Sequence, residues 1–172
     1  LIVGVTAVIA AVVVILLVVV VGGDTDKRTP EQIDALFQAG LEMQTAGDAE
    51  GADAKYTEIL RADPDNTLAL YNSAVIRHAD GRLDAAEDRY RQAIAADPNM
   101  ASAHFNLAVL LTSAGRTDEA LAQYRTALAI FPDDPGLLHN YGQLLIATGD
   151  VEQGAAQVAR AIELDPSLLA DG

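Results

Sequence analysis

The segment LYNSAVIRHADGRLDAAEDRYRQAIAADP, residues 70–98, is matched 34 residues later by HFNLAVLLTSAGRTDEALAQYRTALAIFP, residues 104–132, with glycine, small, aromatic and proline residues at the same places. The same spacing extends outward from these segments in four sets of positions. The sets are Pro64, Pro98, Pro132 and Pro166; Gly47, Gly81, Gly115 and Gly149; Ala52, Ala86, Ala120 and Gly154; and Tyr56, Tyr90, Tyr124 and Val158. Four sets with one period indicate a repeat protein, whose stacked units present an extended surface.

Each unit has the pattern of two helices joined by a glycine-centred turn. Glycine adopts the left-handed conformation that ends a helix without steric cost, and proline cannot continue the hydrogen bonds of a helix. Thr29, Pro30 and Gln32 are typical of a helix start, so the repeats are predicted to begin there. The predicted helices are 31–46, 50–62, 66–79, 83–96, 100–113, 117–130, 135–147 and 151–164.

The charge of the chain excludes one class of partner. The formal net charge is -14, and no segment of the chain is basic. Nucleic-acid binding needs several cations on one face to neutralise phosphates, so we expect no nucleic-acid partner. The chain has no cysteine, which excludes disulfides, thiol nucleophiles and thiolate metal sites.

The first 21 residues differ in composition from the rest. Residues 1–21 carry no charge and consist almost entirely of Val, Ile, Leu and Ala, over a length that would span one bilayer core as a helix. They are predicted to form a single transmembrane helix in a cell membrane, and residues 22–30 a short linker to the repeats. A secretory signal segment is the alternative.

The usual catalytic motifs are missing from the sequence, including nucleophile elbows, phosphate-binding loops and paired metal-binding histidines. His78, His104 and His139 lie in three different units and are interpreted as surface or packing residues. The paired acids at the starts of second helices complement the helix dipole. We therefore expect no enzyme activity, no cofactor and no bound metal.

With these features the chain resembles the tetratricopeptide repeat family. The resemblance rests on Leu-Tyr-Asn-Ser-Ala at 70–74, His-Phe-Asn-Leu-Ala at 104–108 and Leu-His-Asn-Tyr-Gly at 138–142, each followed by the spaced Gly, small, aromatic, Ala and Pro residues. It implies an all-α fold, a right-handed α-solenoid of four helix-turn-helix units at 33–66, 67–100, 101–134 and 135–168, preceded by the transmembrane helix and followed by a tail at 169–172. Because Gly154 and Val158 replace Ala and Tyr, the last helix is expected to pack less well.

In this family the first helices of successive units line a concave groove. By resemblance, the predicted partner-binding residues are Phe37, Leu41, Tyr71, Asn72, Val75, Phe105, Asn106, Val109, Asn140 and Ile146. The three asparagines, spaced by 34, could bind an extended peptide backbone as a ladder, or could serve only in packing. Some members hold a carboxyl terminus with Lys or Arg in the groove. The matching positions here are Phe37 and Leu41, so a hydrophobic or amphipathic segment fits better.

These features together predict a membrane-anchored adaptor or scaffold that holds a partner protein or peptide at a bilayer. Its composition is typical of a bacterial member, and the repeats are expected outside the cytoplasm. The alternative is a stable accessory or assembly subunit of a larger bacterial membrane complex. In that case residues 1–21 would pack on other transmembrane helices, with Gly4, Ala7 and Ala11 allowing close approach. The oligomeric state is left open.

Overall fold

A computed structural model of the protein describes residues 28–169. This part of the chain forms eight α-helices and a short 3₁₀ turn at Pro166–Leu169. The helices are α1 (Pro30–Thr45), α2 (Ala49–Ala62), α3 (Thr67–Ala79), α4 (Leu83–Ala96), α5 (Ala101–Ser113), α6 (Thr117–Ile130), α7 (Pro135–Ala147) and α8 (Val151–Leu164). Each helix packs on the helices before and after it in the chain, and α5 also contacts α3 and α7. The units therefore stack in sequence order, as a solenoid does.

Local sequence explains where the helices begin and end. The side chain of Thr29 accepts a hydrogen bond from the Gln32 amide, and the Gln32 side chain accepts one from the Thr29 amide, which confirms the predicted start of α1. The four turn glycines have φ between 72° and 98°, in the left-handed region that the period predicts for them. All eight helices begin and end within one residue of their predicted bounds.

The core consists of two clusters of buried residues, and Tyr71 and Ile94 pack against both of them. Large and small buried residues alternate along it, so that neighbouring helices interdigitate. Tyr56, Tyr90 and Tyr124 are among the largest fully buried side chains, and they lie opposite buried alanines such as Ala74 and Ala108. In the last three units the first helices bury more residues than the second helices, which keep a wide face exposed.

The last unit packs more tightly than the sequence predicts. A Cβ atom on Gly142 would lie 2.7 Å from the carbonyl oxygen of Gly154, and one on Gly154 would lie 2.6 Å from the carbonyl oxygen of Gly142. The expectation that α8 packs poorly is therefore wrong, because the two glycines let α7 and α8 approach at backbone contact. Val158 fills the remaining space, since its side chain would also touch a Cβ at Gly142.

A buried carboxylate connects the first unit to the second. Asp53 on α2 accepts hydrogen bonds from the hydroxyl of Ser73 and from Arg77 Nε at 3.3 Å, both on α3. Arg82 Nη1, in the turn after α3, lies 3.3 Å from the other carboxylate oxygen. Asp53 and Ser73 are buried, so the cluster satisfies polar groups that have no access to water.

The next boundary uses an equivalent ion pair at the surface. Arg116 bonds both carboxylate oxygens of Glu87 at 2.7 Å and also binds Glu119. These bonds, with Glu119 first and Glu87 second, raise the pKa of Arg116, and the bond with Arg116 lowers the pKa of Glu119. At the third boundary the position of the acid is occupied by Leu121, which packs on the apolar core. The boundaries between units thus change from ionic to apolar along the chain.

The fold prediction needs one correction. It includes a transmembrane helix, but between residues 28 and 169 no helix is long and apolar enough to cross a bilayer. The segment 1–21, for which that helix is predicted, lies outside the described residues. What the structure shows is an all-α solenoid of eight helices.

Candidate functional site

The ten residues predicted to bind a partner all lie on the first helices of the units, and all are half-buried. They are Phe37, Leu41, Tyr71, Asn72, Val75, Phe105, Asn106, Val109, Asn140 and Ile146, and the surface that they form is called here the first-helix surface. In a solenoid such a surface is the usual place for a partner. Their role in binding stays a prediction.

Aromatic side chains of this surface rest on buried tyrosines of the second helices. The ring-centroid distances are 5.6 Å for Phe37 and Tyr56, 6.3 Å for Tyr71 and Tyr90, and 6.1 Å for Phe105 and Tyr124. All three pairs are tilted, an arrangement that aromatic rings favour. Each exposed ring is therefore held in place before any partner arrives, which lowers the entropy cost of binding.

The three asparagines are not equivalent. Asn72 Nδ2 donates to the carbonyl oxygen of Leu68 at 2.8 Å, and Asn140 Nδ2 donates to that of Gly136 at 3.0 Å, each within its own helix. Asn106 Nδ2 instead donates to the hydroxyl of Tyr71 at 3.0 Å, across a boundary between units. Asn106 therefore has a structural contact, while the other two amides keep further hydrogen-bonding capacity toward the surface.

Burial controls the ionisation of the tyrosines beneath this surface. It raises the pKa of Tyr56, Tyr90 and Tyr124, since a phenolate would be poorly solvated there. For Tyr90, a hydrogen bond with Asn106 opposes that rise. These three tyrosines are thus neutral at physiological pH.

The first-helix surface is almost without charge in the last three units. Helices α5 and α7 contain no Asp, Glu, Lys or Arg. The single such residue of α3 is Arg77, which binds Asp53 in the cluster between units. Helix α1 is acidic and has no Lys or Arg. A chain with a net charge of -14 thus keeps its acidic residues off the first helices of the last three units.

Two cavities open between α5 and α7. The first, called here the Tyr124 cavity, has a volume of about 390 Å³ and is lined by Val109, Thr112, Tyr124, Asn140, Gln143 and Leu144, among others. The second, the Phe131 cavity, has a volume of about 220 Å³ and is lined by Ser102, Phe105, Phe131, Asp134, Gly136 and Leu137, among others. The first lies in the size range of ligand pockets, and the second is smaller.

The cavities contain some of the predicted residues and several that were not predicted. Val109 and Asn140 line the Tyr124 cavity, and Phe105 lines the Phe131 cavity; the other seven predicted residues line neither. Gln143 stands 34 residues after Val109, so the period of the sequence could have found it. Ile146 stands instead 34 residues after Thr112, and its side chain packs against Gly154.

The three histidines have different surroundings. His78 packs with its ring edge toward Tyr90, at 6.1 Å between centroids, and the buried His104 hydrogen-bonds Gln123 and the carbonyl oxygen of Pro98. His139 has a buried Nδ1 atom for which residues 28–169 provide no hydrogen-bond partner. Within the same range no cluster of three or more His, Asp or Glu residues could hold a metal ion.

Comparison with known proteins identifies the class and the family. The stacked helix pairs define a repeat solenoid of the kind that serves as an interaction scaffold. One tetratricopeptide repeat model matches residues 37–99 and 79–135, and a second matches residues 111–170. The chain belongs to the tetratricopeptide repeat family, and neither model is that of an enzyme. No curated protein matches the chain.

Several solved structures share the fold. MamA is 20% identical with a TM-score of 0.73, and the match covers 82% of both chains. PilF of Pseudomonas aeruginosa is 24% identical with a TM-score of 0.70, over 79% of this chain and 62% of that one. The first repeat domain of Spaghetti (RPAP3), solved with the HSP90 peptide SRMEEVD, is 19% identical with a TM-score of 0.66, over 70% and 95%. These identities show the fold alone.

Proposed function

We propose that the protein is an interaction scaffold that binds an uncharged, apolar or amphipathic segment of a partner protein on its first-helix surface. The observation that carries this proposal is the absence of charged residues from α5 and α7, the helices around both cavities. An anionic ligand would lose its hydration there and gain no ion pair in return, whereas an apolar segment gains from burial. The charged residue in the lining of the Phe131 cavity, Asp134, already accepts a hydrogen bond from the Leu137 amide.

The comparison with the Spaghetti domain supports this choice of ligand. The peptide in that structure, SRMEEVD, is rich in carboxylates. In this chain the four first helices contain a single Lys or Arg, which is Arg77, and Asp53 already binds it. An acidic tail would therefore find no free cation among α1, α3, α5 and α7, and we expect it to bind poorly.

The test is selection from a random peptide library on the purified full chain, followed by a titration of the selected peptides. We expect enrichment of sequences with few charges. Val109→Glu places a charge in the middle of the surface and should weaken binding at least about tenfold. The control is Val151→Glu at an exposed position of α8, which should leave the affinity unchanged. Equal binding by both variants, with unchanged circular dichroism, would reject the proposal.

The asparagine ladder has its own test. Asn72→Ala combined with Asn140→Ala removes two amides without touching the Asn106 contact between units. If these amides bind a peptide backbone, the affinity should fall while the helical content stays the same. An unchanged affinity would assign the asparagines to packing.

A second candidate function is that of a stable subunit in a larger assembly. Val151, Leu164 and Leu169 are exposed apolar side chains at the end of the described solenoid, where a permanent partner could cover them. Co-purification of a stoichiometric partner that high salt does not remove, and that Val151→Glu releases, would favour this candidate. The predicted membrane location rests on residues 1–21 and stays a prediction.

A further inference from the structure

We propose that the Tyr124 cavity and the Phe131 cavity are two pockets of one site, which takes two apolar side chains of an extended, uncharged peptide segment, at positions i and i+4. This inference rests on the proposed function and makes it more specific. It assigns the contact to the boundary between the third and fourth units and gives the ligand a sequence pattern.

The Tyr124 cavity exists because one repeat position holds a small residue. Thr112 is the third-unit equivalent of Gln44 and His78, at the spacing of 34. In the first unit Gln44 hydrogen-bonds the hydroxyl of Tyr56, and in the second His78 packs on the ring of Tyr90. Each side chain thus covers the tyrosine of its own unit.

Thr112 is shorter than these two side chains and fills less of the space around its tyrosine, although Tyr124 itself is buried. The Thr112 hydroxyl turns back to the carbonyl oxygen of Ala108 at 2.8 Å, which directs the short side chain along its own helix. The space that a histidine or glutamine fills elsewhere is left open beside Tyr124, in a pocket of about 390 Å³. Its lining includes Val109 and Leu144 and no charged group, so it suits an apolar side chain.

The Phe131 cavity results from a second departure from the repeat. Every other unit has aspartate at this position, as Asp63, Asp97 or Asp165, and each carboxylate accepts a hydrogen bond in its own turn. Phe131 cannot make that bond, and its side chain is 57% exposed beside Phe105. An exposed phenyl ring beside a partly filled cavity gains free energy when an apolar group covers it.

The spacing of the pockets determines the form of the ligand. Residues in the range 101–105 of α5 line the Phe131 cavity and residues in the range 109–113 line the Tyr124 cavity, so the centres of the two stretches are about 12 Å apart at 1.5 Å per residue. In an extended strand-like segment, residues i and i+4 lie on the same side and about 13 Å apart. Asn140 and Gln143 line the first pocket and can bond an extended backbone, which a helical ligand would not offer.

The experiment uses the full chain and the peptides selected from the random library. We expect apolar residues at i and i+4, with no charged residue between them. Thr112→His copies the second unit and closes the Tyr124 cavity, and Phe131→Asp copies the other three units and removes the exposed ring. Each should weaken binding at least about tenfold with an unchanged unfolding midpoint.

Two control variants make similar substitutions at positions outside the site. Thr126→His replaces a threonine with the same backbone hydrogen bond, here to Ala122, on the exposed face of α6. Leu164→Asp replaces an exposed apolar residue of α8. Both controls should keep the parent affinity.

The outcomes distinguish a failure of the two-pocket site from a failure of the proposed function. If Val109→Glu abolishes binding but Thr112→His and Phe131→Asp do not, the two-pocket site is wrong and the proposed function stands. Selected pairs at i and i+7 would also overturn it, since that spacing belongs to a helical ligand. If no sequence is enriched, or if Val109→Glu has no effect, both proposals fail.

Discussion

Replacing Asp53 with alanine removes the acceptor at the centre of the cluster that joins the first two units. The variant leaves the hydroxyl of Ser73, which is fully buried, without its partner. It also leaves Arg77, whose side chain is 18% exposed, without a counter-charge. Arg82 is more exposed and can be solvated, so its loss of the pair matters less.

The expected loss of stability follows from these two groups. A buried hydroxyl without a hydrogen bond costs about 1–3 kcal/mol. Breaking a buried ion pair costs about 3–5 kcal/mol, but partial exposure of Arg77 reduces this contribution. The free energy of unfolding should therefore fall by about 2–4 kcal/mol.

The measurement is urea unfolding followed by far-UV circular dichroism, with hydrogen exchange to locate the change in α2 and α3. Local exchange is needed because repeat units can unfold separately. Asp80→Ala is the matched control: its side chain is 44% exposed and pairs with Arg82, so it should cost less than about 1 kcal/mol.

A double variant tests whether an apolar pair can replace the buried ion pair. Asp53→Leu with Arg77→Leu reproduces the pair formed by Leu121 and Leu145, at the same repeat positions of the third boundary. An apolar pair of similar volume often replaces a buried ion pair without loss, so the part of the stability lost through Arg77 should return, while the Ser73 hydroxyl stays without its acceptor. If Asp53→Ala costs no more than Asp80→Ala, or if the double variant is as unstable as Asp53→Ala, the cluster does not act as described.

Three further predictions concern packing, pH and salt. Gly154→Ala should lower the free energy of unfolding in urea by about 1–2 kcal/mol, since the added methyl group meets the backbone of α7. In the control Gly136→Ala the methyl group meets only a side-chain oxygen, so the free energy of unfolding should stay the same. Burial raises the pKa of Tyr56, Tyr90 and Tyr124, so the folded state retains protons that the unfolded state releases. The free energy of unfolding should therefore be highest below the ordinary tyrosine pKa of about 10 and should fall as the pH rises above it. A urea midpoint that does not change across that range would contradict this. The affinity of selected peptides should change less than about twofold between low and physiological salt in titrations, because α5 and α7 are uncharged, and a steep salt dependence would point to a charged ligand.

Local rules explain why the helix bounds could be predicted so closely. Helix starts and turn glycines depend on residues a few positions apart, as at Thr29 with Gln32 and at Gly47. A period of 34 then carries one unit's pattern to the others. The same period places Val75 and Val109 on corresponding faces of their helices.

The two cavities could not be predicted in this way. They depend on the difference between Thr112 and His78 in volume, and on where the threonine hydroxyl finds its acceptor. A pattern of polar and apolar residues does not distinguish threonine from histidine, since either residue is acceptable at a half-exposed position. Only the packed neighbours show that His78 fills the space beside its tyrosine while Thr112 leaves a cavity between α5 and α7.

The sequence by itself determined the repeat and the positions of the helices, because both follow from periodicity and short-range backbone chemistry. The first-helix surface was assigned from the resemblance to the tetratricopeptide repeat family. The tertiary structure alone decided the close contact of Gly142 with Gly154, the bond of Asn106 to Tyr71 and the pockets between α5 and α7. These features depend on distances of a few tenths of an ångström between residues that are far apart in the chain, and such distances are set when all units pack together.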